Sequence, residues 1–267
     1  MLHVAIDRRK FLFLSGAAVT GAGIAGCTST SQASKPSGGT ASKSAAAAPA
    51  SAAPSPSAHP TANAALHLGP QVVHAPRDRN LVALTFHGQG PLSIADALLG
   101  EAERAGARVT VMAVGTWLSQ DPQIARRILH GGHELGNHTM HHQDIKAMDA
   151  SGAYAEIEGC AQQLHALTGS AGRWFRPSQT QYATPLIEQQ ARKVGYPTCV
   201  SYDVDSLDYT DPGPDAVVST VLSKTRPGSI VSMHLGHSGT VAALPSVVRG
   251  LTSKGLRPVT LTELLAT

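Results

Sequence analysis

From about residue 66 onward, apolar positions fall into short runs separated by stretches of helical period. Residues 81–86 (LVALTF) form a run of strand type, and residues 92–105 place Leu98, Ala102 and Ala105 on one helical face. A second strand follows at 108–114 (RVTVMAV), then Trp117, then a helix over 122–129 with Asp121 as its N-cap and Pro122 at its first position. Past a histidine-rich stretch the alternation resumes. A helix over 152–168 stops at Gly169, residues 173–176 make a turn and strand, and Thr184-Pro185 opens a helix that ends near Gly195. Strands are expected at 198–202, 229–234 and 257–260, with helices over 214–225 and 241–253 between them. About seven strand–helix units in about 200 residues predict an α/β fold, a closed or nearly closed (β/α) barrel. A doubly wound open sheet shares that periodicity, but no GxGxxG follows the first strand, which argues against a nucleotide-binding version.

The first quarter of the chain reads differently. Arg8-Arg9-Lys10-Phe11-Leu12, a short stretch of small apolar residues and Ile24-Ala25-Gly26-Cys27 resemble a bacterial twin-arginine export signal ending in a lipobox. Residues 1–27 are therefore expected to be a signal peptide, with Cys27 as the lipidated residue. Residues 28–65 are almost entirely Ser, Ala, Pro, Thr and Gly and cannot bury enough apolar surface to order themselves. As a flexible coil they would form a tether of roughly 35 Å. The globular domain is then 66–267, extracytoplasmic and held to the cell membrane by its lipid.

Charge needs the same division. Arg8, Arg9, Lys10, Lys35 and Lys43 stand against Asp7 before residue 44, so they account for the formal +3 of the whole chain and leave the domain slightly acidic. No cluster of cations with interleaved aromatics is present, which argues against nucleic acid as a partner. Oligomeric state is not encoded in these patterns. Of the other cysteines, Cys160 falls in a helical pattern and Cys199 in a strand-like one, so two separately buried thiols are expected.

Candidate chemistry gathers where a parallel barrel would put it, at the C-terminal ends of strands. Residues 133–142 hold four of the chain's 13 histidines. His138 and His142 are four apart, a spacing that sets two imidazoles on one face of a helical turn and suits one metal ion. His133 is expected in the barrel wall. His87 follows the first strand, Arg176 follows Trp174-Phe175, Asp205 and Asp208 follow the strand through Tyr202, and His234 ends its strand. Each has an ordinary explanation alone: a surface ion pair for Arg176, turn residues for the aspartates, a backbone-satisfied histidine for His234. Their recurrence at strand ends makes the joint ordinary explanation weak.

These residues carry a resemblance. His138-Thr139-x-x-His142 within GHELGNHT, Leu167-Thr168-Gly169 ahead of Phe175-Arg176-Pro177, the Asp205/Asp208/Tyr209 group and His234 resemble the polysaccharide deacetylase family, carbohydrate esterase family 4, over about residues 78–265. The resemblance implies a deformed (β/α) barrel of about seven strands that removes acetyl groups from N- or O-acetylated saccharides with a divalent metal, commonly zinc. It implies His138 and His142 as metal ligands, His234 as the acid that protonates the departing amine, Asp208 as its tuning partner and Arg176 as the residue that orients the base. Gln89, Trp174 and Tyr209 are candidates for substrate contact.

The chain departs from that family at the first motif. Thr85-Phe86-His87-Gly88-Gln89-Gly90-Pro91 stands where TFDDGP is usual, so both carboxylates are missing. In one repair His87 joins His138 and His142 in a three-histidine set, with Asp205 or His237 as base. In the other His87 is the base, and Gln89 completes a weaker metal site. Tyr209 also stands in place of a tryptophan, and Ser232 in place of the leucine two before His234. Two trptophan residues in 267 are few for stacking on long glycans, which favours a short substrate. Two functions follow: a metal-dependent deacetylase tethered at the envelope, or a lipoprotein that keeps the barrel and binds an envelope ligand without turnover. A zinc peptidase is disfavoured, since no HExxH occurs.

Overall fold

The structure is a computed structural model and describes residues 68–266. The export signal, Cys27 and the tether lie outside the described residues.

The fold is α/β, with parallel strands throughout the main sheet. β2 (Leu81–Gly88) is central. On one side it pairs with β7 (Ile230–His234), which pairs with β6 (Val204–Asp205). Its other edge is shared: Thr85–Gly88 pair with β3 (Thr110–Ala113), while Leu81–Ala83 pair with β8 (Arg257–Val259). β3 pairs with β4 (Glu134–Asn137), whose Asn137 bridges Phe175. Phe175 in turn bridges Cys199 of β5 (Cys199–Val200), and β5 pairs with the short β1 (Gln71–Val72). One stretch, Cys199 to Asp205, thus meets Phe175 with its first half and β7 with its second. The ladder returns to where it began, and the sheet closes into a small deformed barrel.

Helices clothe the outside. They are α1 (Leu92–Arg104), α2 (Gly115–Gln120), α3 (Gln123–His130), α4 (Ala150–Thr168), α5 (Pro185–Val194), α6 (Pro214–Lys224) and α7 (Ser238–Ser253). Alternate strand residues explain the layering. Leu84, Phe86, Val111, Val231 and Met233 point outward into a core shared with these helices. Ala83, Met112, Ile230 and Val259 belong to a second cluster inside the barrel, and α8 (Leu261–Leu265) closes its floor with Leu261, Leu264 and Leu265. A third cluster packs α4 and α5 against Phe175 and Cys199.

Local signals set several boundaries. The Thr184 hydroxyl caps α5 by accepting from the Ile187 amide, with Pro185 at the first helical position, and Gly195 ends that helix at φ 114°. Asp149 caps α4 by accepting from Gly152, and Gly169 ends it at φ 78°. Each cap contributes about 1 kcal/mol. Cys160 and Cys199 are free and buried on different elements, as their patterns implied. No helix among the described residues is long and apolar enough to cross a membrane.

Some elements differ from the sequence expectation. Trp117 lies in α2, a helix of six residues too short to show periodicity. Pro122, not Asp121, is the N-cap of α3, and Asp121 makes no side-chain cap there. The strand expected at 198–202 shortens to β5 at Cys199–Val200, and β6, beyond its expected end, was not anticipated. α7 begins three residues before the expected 241, and α8 was not anticipated.

Candidate metal and hydrolytic site

The registers bring the expected residues to one end of the barrel. His87 and His234 are direct partners across β2 and β7, and Thr85, Ser232 and Asp205 form the layer beneath them. His87, His142, Asp205, Ser232 and His234 line a cavity of about 390 Å³, whose other walls are Tyr202, Tyr209 and the segment Gln179, Thr180 and Gln181.

Three histidines converge at its base. Nitrogen atoms of His87, His138 and His142 all lie within 4.8 Å of one another. His138 Nδ1 is 2.9 Å from the Arg176 carbonyl, which can only accept, so Nδ1 carries the proton and Nε2 the lone pair. That Nε2 is buried with no hydrogen-bond partner. Burial pushes His87 and His138 well below the ordinary histidine value, and the neighbouring histidines push the same way. The Arg176 charge adds to this at His87, while at His138 the hydrogen bond to the Arg176 carbonyl pushes partly back. His142 is lowered too, first by burial and then by His234. Neutral imidazoles are the form that binds metal.

A strained loop, not a helical turn, pairs His138 with His142. Thr139 and His142 adopt φ 68° and 56°, a left-handed conformation unusual for these residues. Asn137 compensates by accepting from the Thr139 amide through its side-chain oxygen and donating to the Ile157 carbonyl. Met140 N donates to the Glu156 carbonyl, and the Glu156 carboxylate accepts from the His141 amide and lies 2.7 Å from His141 Nδ1. Gln179 Nε2 donates to the His142 carbonyl.

His234 and Asp208 form a second group. Asp208 Oδ1 is 2.7 Å from His234 Nδ1 and accepts from Ser206, while Oδ2 accepts from the His234 amide and the Thr240 hydroxyl. Burial raises the Asp208 pKa, but these hydrogen bonds and the His234 charge outweigh it and hold the carboxyl below its ordinary value. The carboxylate in turn fixes Nδ1–H on His234 and leaves Nε2 for exchange with a ligand.

Arg176 is fully buried and meets no carboxylate. Its guanidinium donates to the Val200 and Ser201 carbonyls and to the Thr85 hydroxyl, and Nη1 approaches His87 Nε2 at 3.5 Å. Burial lowers its pKa to about 10, so it stays a cation at neutral pH. Asp205 lines the cavity and uses Oδ1 to accept from the Leu207 amide.

Other candidates fall elsewhere. Trp174 is 2% exposed in the barrel floor, its indole donating to Glu134 and Thr262, so it is not at the cavity. Gln89 is exposed and outside the cavity lining, which removes it as a ligand or substrate contact in this arrangement. Gly88 faces outward: a Cβ there would meet Val111 Cγ1 at 2.7 Å and Ala113 Cα at 2.9 Å. His237 pairs with Asp211 and does not line the cavity. His133 packs beside β4, as expected for the wall, with Nδ1 accepting from Val109 N. Tyr209 does border the cavity, 48% exposed, its ring 5.3 Å from that of His234. Sequence reasoning missed Asn137, Thr85 and the 179–181 segment. Asn137, beside His138, and Thr85, two residues before His87 on the same face of its strand, carried positional hints.

Residues 74–199 match the model of the polysaccharide deacetylase family. A peptidoglycan-N-acetylglucosamine deacetylase of Bacillus cereus is 29% identical over 71% of this chain and 90% of its own length. A chitooligosaccharide deacetylase of a Bradyrhizobium strain is 30% identical over 58% of this chain and 71% of its own. Against an uncharacterized Bacillus subtilis relative, 25% identical, the match spans 58% of that protein's length. Among solved structures, a CE4 family pseudoenzyme from Bacillus anthracis superposes with a TM-score of 0.70 at 25% identity, over 74% of this chain and 70% of that one. A mutant of that protein is described as having restored enzymatic activity.

Proposed function

This chain belongs to the polysaccharide deacetylase family, and on that premise we propose that it is a metal-dependent hydrolase removing acetyl groups from an N- or O-acetylated saccharide. The observation that carries the reading is His138 Nε2, a buried lone pair without a partner, beside two more neutral histidines in the wall of an open cavity. The donor set fits a divalent ion: three imidazoles are an accepted catalytic zinc set. A metal on His87, His138 and His142 would supply Lewis acidity toward the acetyl carbonyl and a lowered pKa for water. Saccharides bearing N-acetylglucosamine are the first substrates to try, given the names of the relatives.

The chain's own groups have separable tasks. Asp208 holds Nδ1–H on His234, so that Nε2 can pass a proton to the leaving amine. Asp205, the carboxylate of the cavity lining, takes the proton of the attacking water. Tyr209 and the 179–181 segment bound the space for one or two sugar rings. In the same reading residues 1–65 export the chain and anchor it through lipid on Cys27 at the outer face of the cell membrane.

A second reading, ligand binding without turnover, draws on the missing paired carboxylates and on the likeness to a protein described as a pseudoenzyme. Bound metal and acetate release from acetylated chito-oligosaccharide, peptidoglycan and xylan separate the two. Wild type should hold about one metal ion and release acetate from one of these substrates, and both should be lost in His138→Ala. Metal retained with no acetate released favours the binding module, and full metal in His87→Ala removes His87 from the ligand set.

A further inference from the structure

Two departures from the family pattern, His87 in the first motif and Ser232 two residues before His234, lie on different strands, yet their side chains meet. Ser232 Oγ is 3.0 Å from His87 Nε2, and both residues line the cavity. The direction of that hydrogen bond follows from a third group. Arg176 Nη1 approaches the same Nε2 at 3.5 Å, and a guanidinium only donates. Nε2 therefore carries the lone pair, and the Ser232 hydroxyl is the donor.

A serine hydroxyl that donates to a histidine lone pair at the wall of an open cavity pairs a nucleophile with a base. Because burial and the Arg176 cation hold His87 well below the ordinary histidine range, that base is a weak one and the transfer is slow. We propose that Ser232 and His87 form a dyad that transfers acyl groups through an ester on Ser232, an activity beyond the metal-dependent reading above. The substrate class is small O-acyl esters, acetylated alcohols or sugars, because an oxygen leaving group departs without prior protonation more readily than an amine. Ser232 Oγ forms a bond to the acyl carbon as its proton passes to His87 Nε2. The bond from that carbon to the leaving oxygen breaks, and the alkoxide takes the proton from His87. Water then attacks the Ser232 ester, giving its proton to Nε2. The acyl–Oγ bond breaks, the proton returns to Oγ, and the free acid leaves.

Neutral His87 has one lone pair, which cannot serve a metal and the hydroxyl together. Metal loading should therefore suppress the dyad. The test uses the full chain with p-nitrophenyl acetate, as purified, after chelation and after addition of Zn2+. The expected result is a stoichiometric burst of nitrophenolate that survives or grows on chelation and shrinks with Zn2+. One acetyl group should appear by mass spectrometry on the peptide containing Ser232. Ser232→Ala should lose that adduct, His87→Gln should slow its formation by about 10²-fold or more, and Ser232→Cys, which keeps a nucleophile in place, should regain an adduct. No adduct in wild type, equal labelling in Ser232→Ala, or a burst abolished by chelation would each overturn the dyad. Acetate release by the metal-loaded chain from saccharides is a separate measurement, so either proposal can fail alone.

Discussion

Asp208 sits among four donors, the His234 amide and ring, the Thr240 hydroxyl and the Ser206 hydroxyl, and has almost no exposure. Burial works against its charge, and the hydrogen bonds win, so its folded pKa is depressed. A depressed carboxyl stabilises the fold above its unfolded pKa of about 3.9, and that contribution is lost as pH falls through the folded value. Asp208→Asn brings amide hydrogens to a place already filled by donors. It should lower the urea midpoint at neutral pH and make the midpoint fall less than in wild type between about pH 5 and pH 2. An unchanged acid profile would mean that Asp208 is not the titrating group. At this scale the gathering of His138, His142, His234, Arg176 and Asp208 was legible because, although each has an ordinary explanation alone, they recur together at strand ends and in family-like motifs. Directions were not legible. Gly88, Gln89 and Trp174 could be placed near the chemistry by sequence position, but packing turns Gly88 against Val111, leaves Gln89 exposed and sends Trp174 to the floor.

Among the elements, the loop from His138 to His142 depends on α4 more than on its own residues. Its two left-handed positions cost of order 1–3 kcal/mol each, and they are offset by bonds to Ile157 and Glu156 of α4 and to Gln179. Glu156→Ala removes both carboxylate contacts to His141 and leaves the Met140 backbone bond. Metal affinity, measured by competition with a chromogenic chelator, should fall about 10- to 100-fold, while far-UV dichroism stays unchanged. Unaltered affinity would show that the backbone bonds alone fix the ligands. Helices with clear periods and caps, such as α4 and α5, were readable from the sequence within a few residues. The break between β5 and β6 was not, because Cys199 to Asp205 must satisfy two neighbours facing different ways. That demand arises only when the barrel closes.

In the molecule as a whole, an apolar floor and a polar mouth are stacked along one axis. Leu264 belongs to the floor, 1% exposed, with Val259, Ile230 and Trp174 in the same cluster. Leu264→Ala should cost about 2–5 kcal/mol, a large share of a net stability of about 5–15 kcal/mol. Denaturant titrations should show the same loss with and without bound metal, because the substitution lies at the opposite end of the barrel from the histidines. A loss that differs between the two states would couple floor to mouth. The seal made by α8 has a consequence for traffic. The cavity beside the histidines opens at the mouth, so in the proposed reaction saccharide, water and released acetate would pass the same opening. A glycan lying across Tyr209 and Gln179 would then act as a stopper, and exchange of an ion held by the histidines would wait for the sugar to leave.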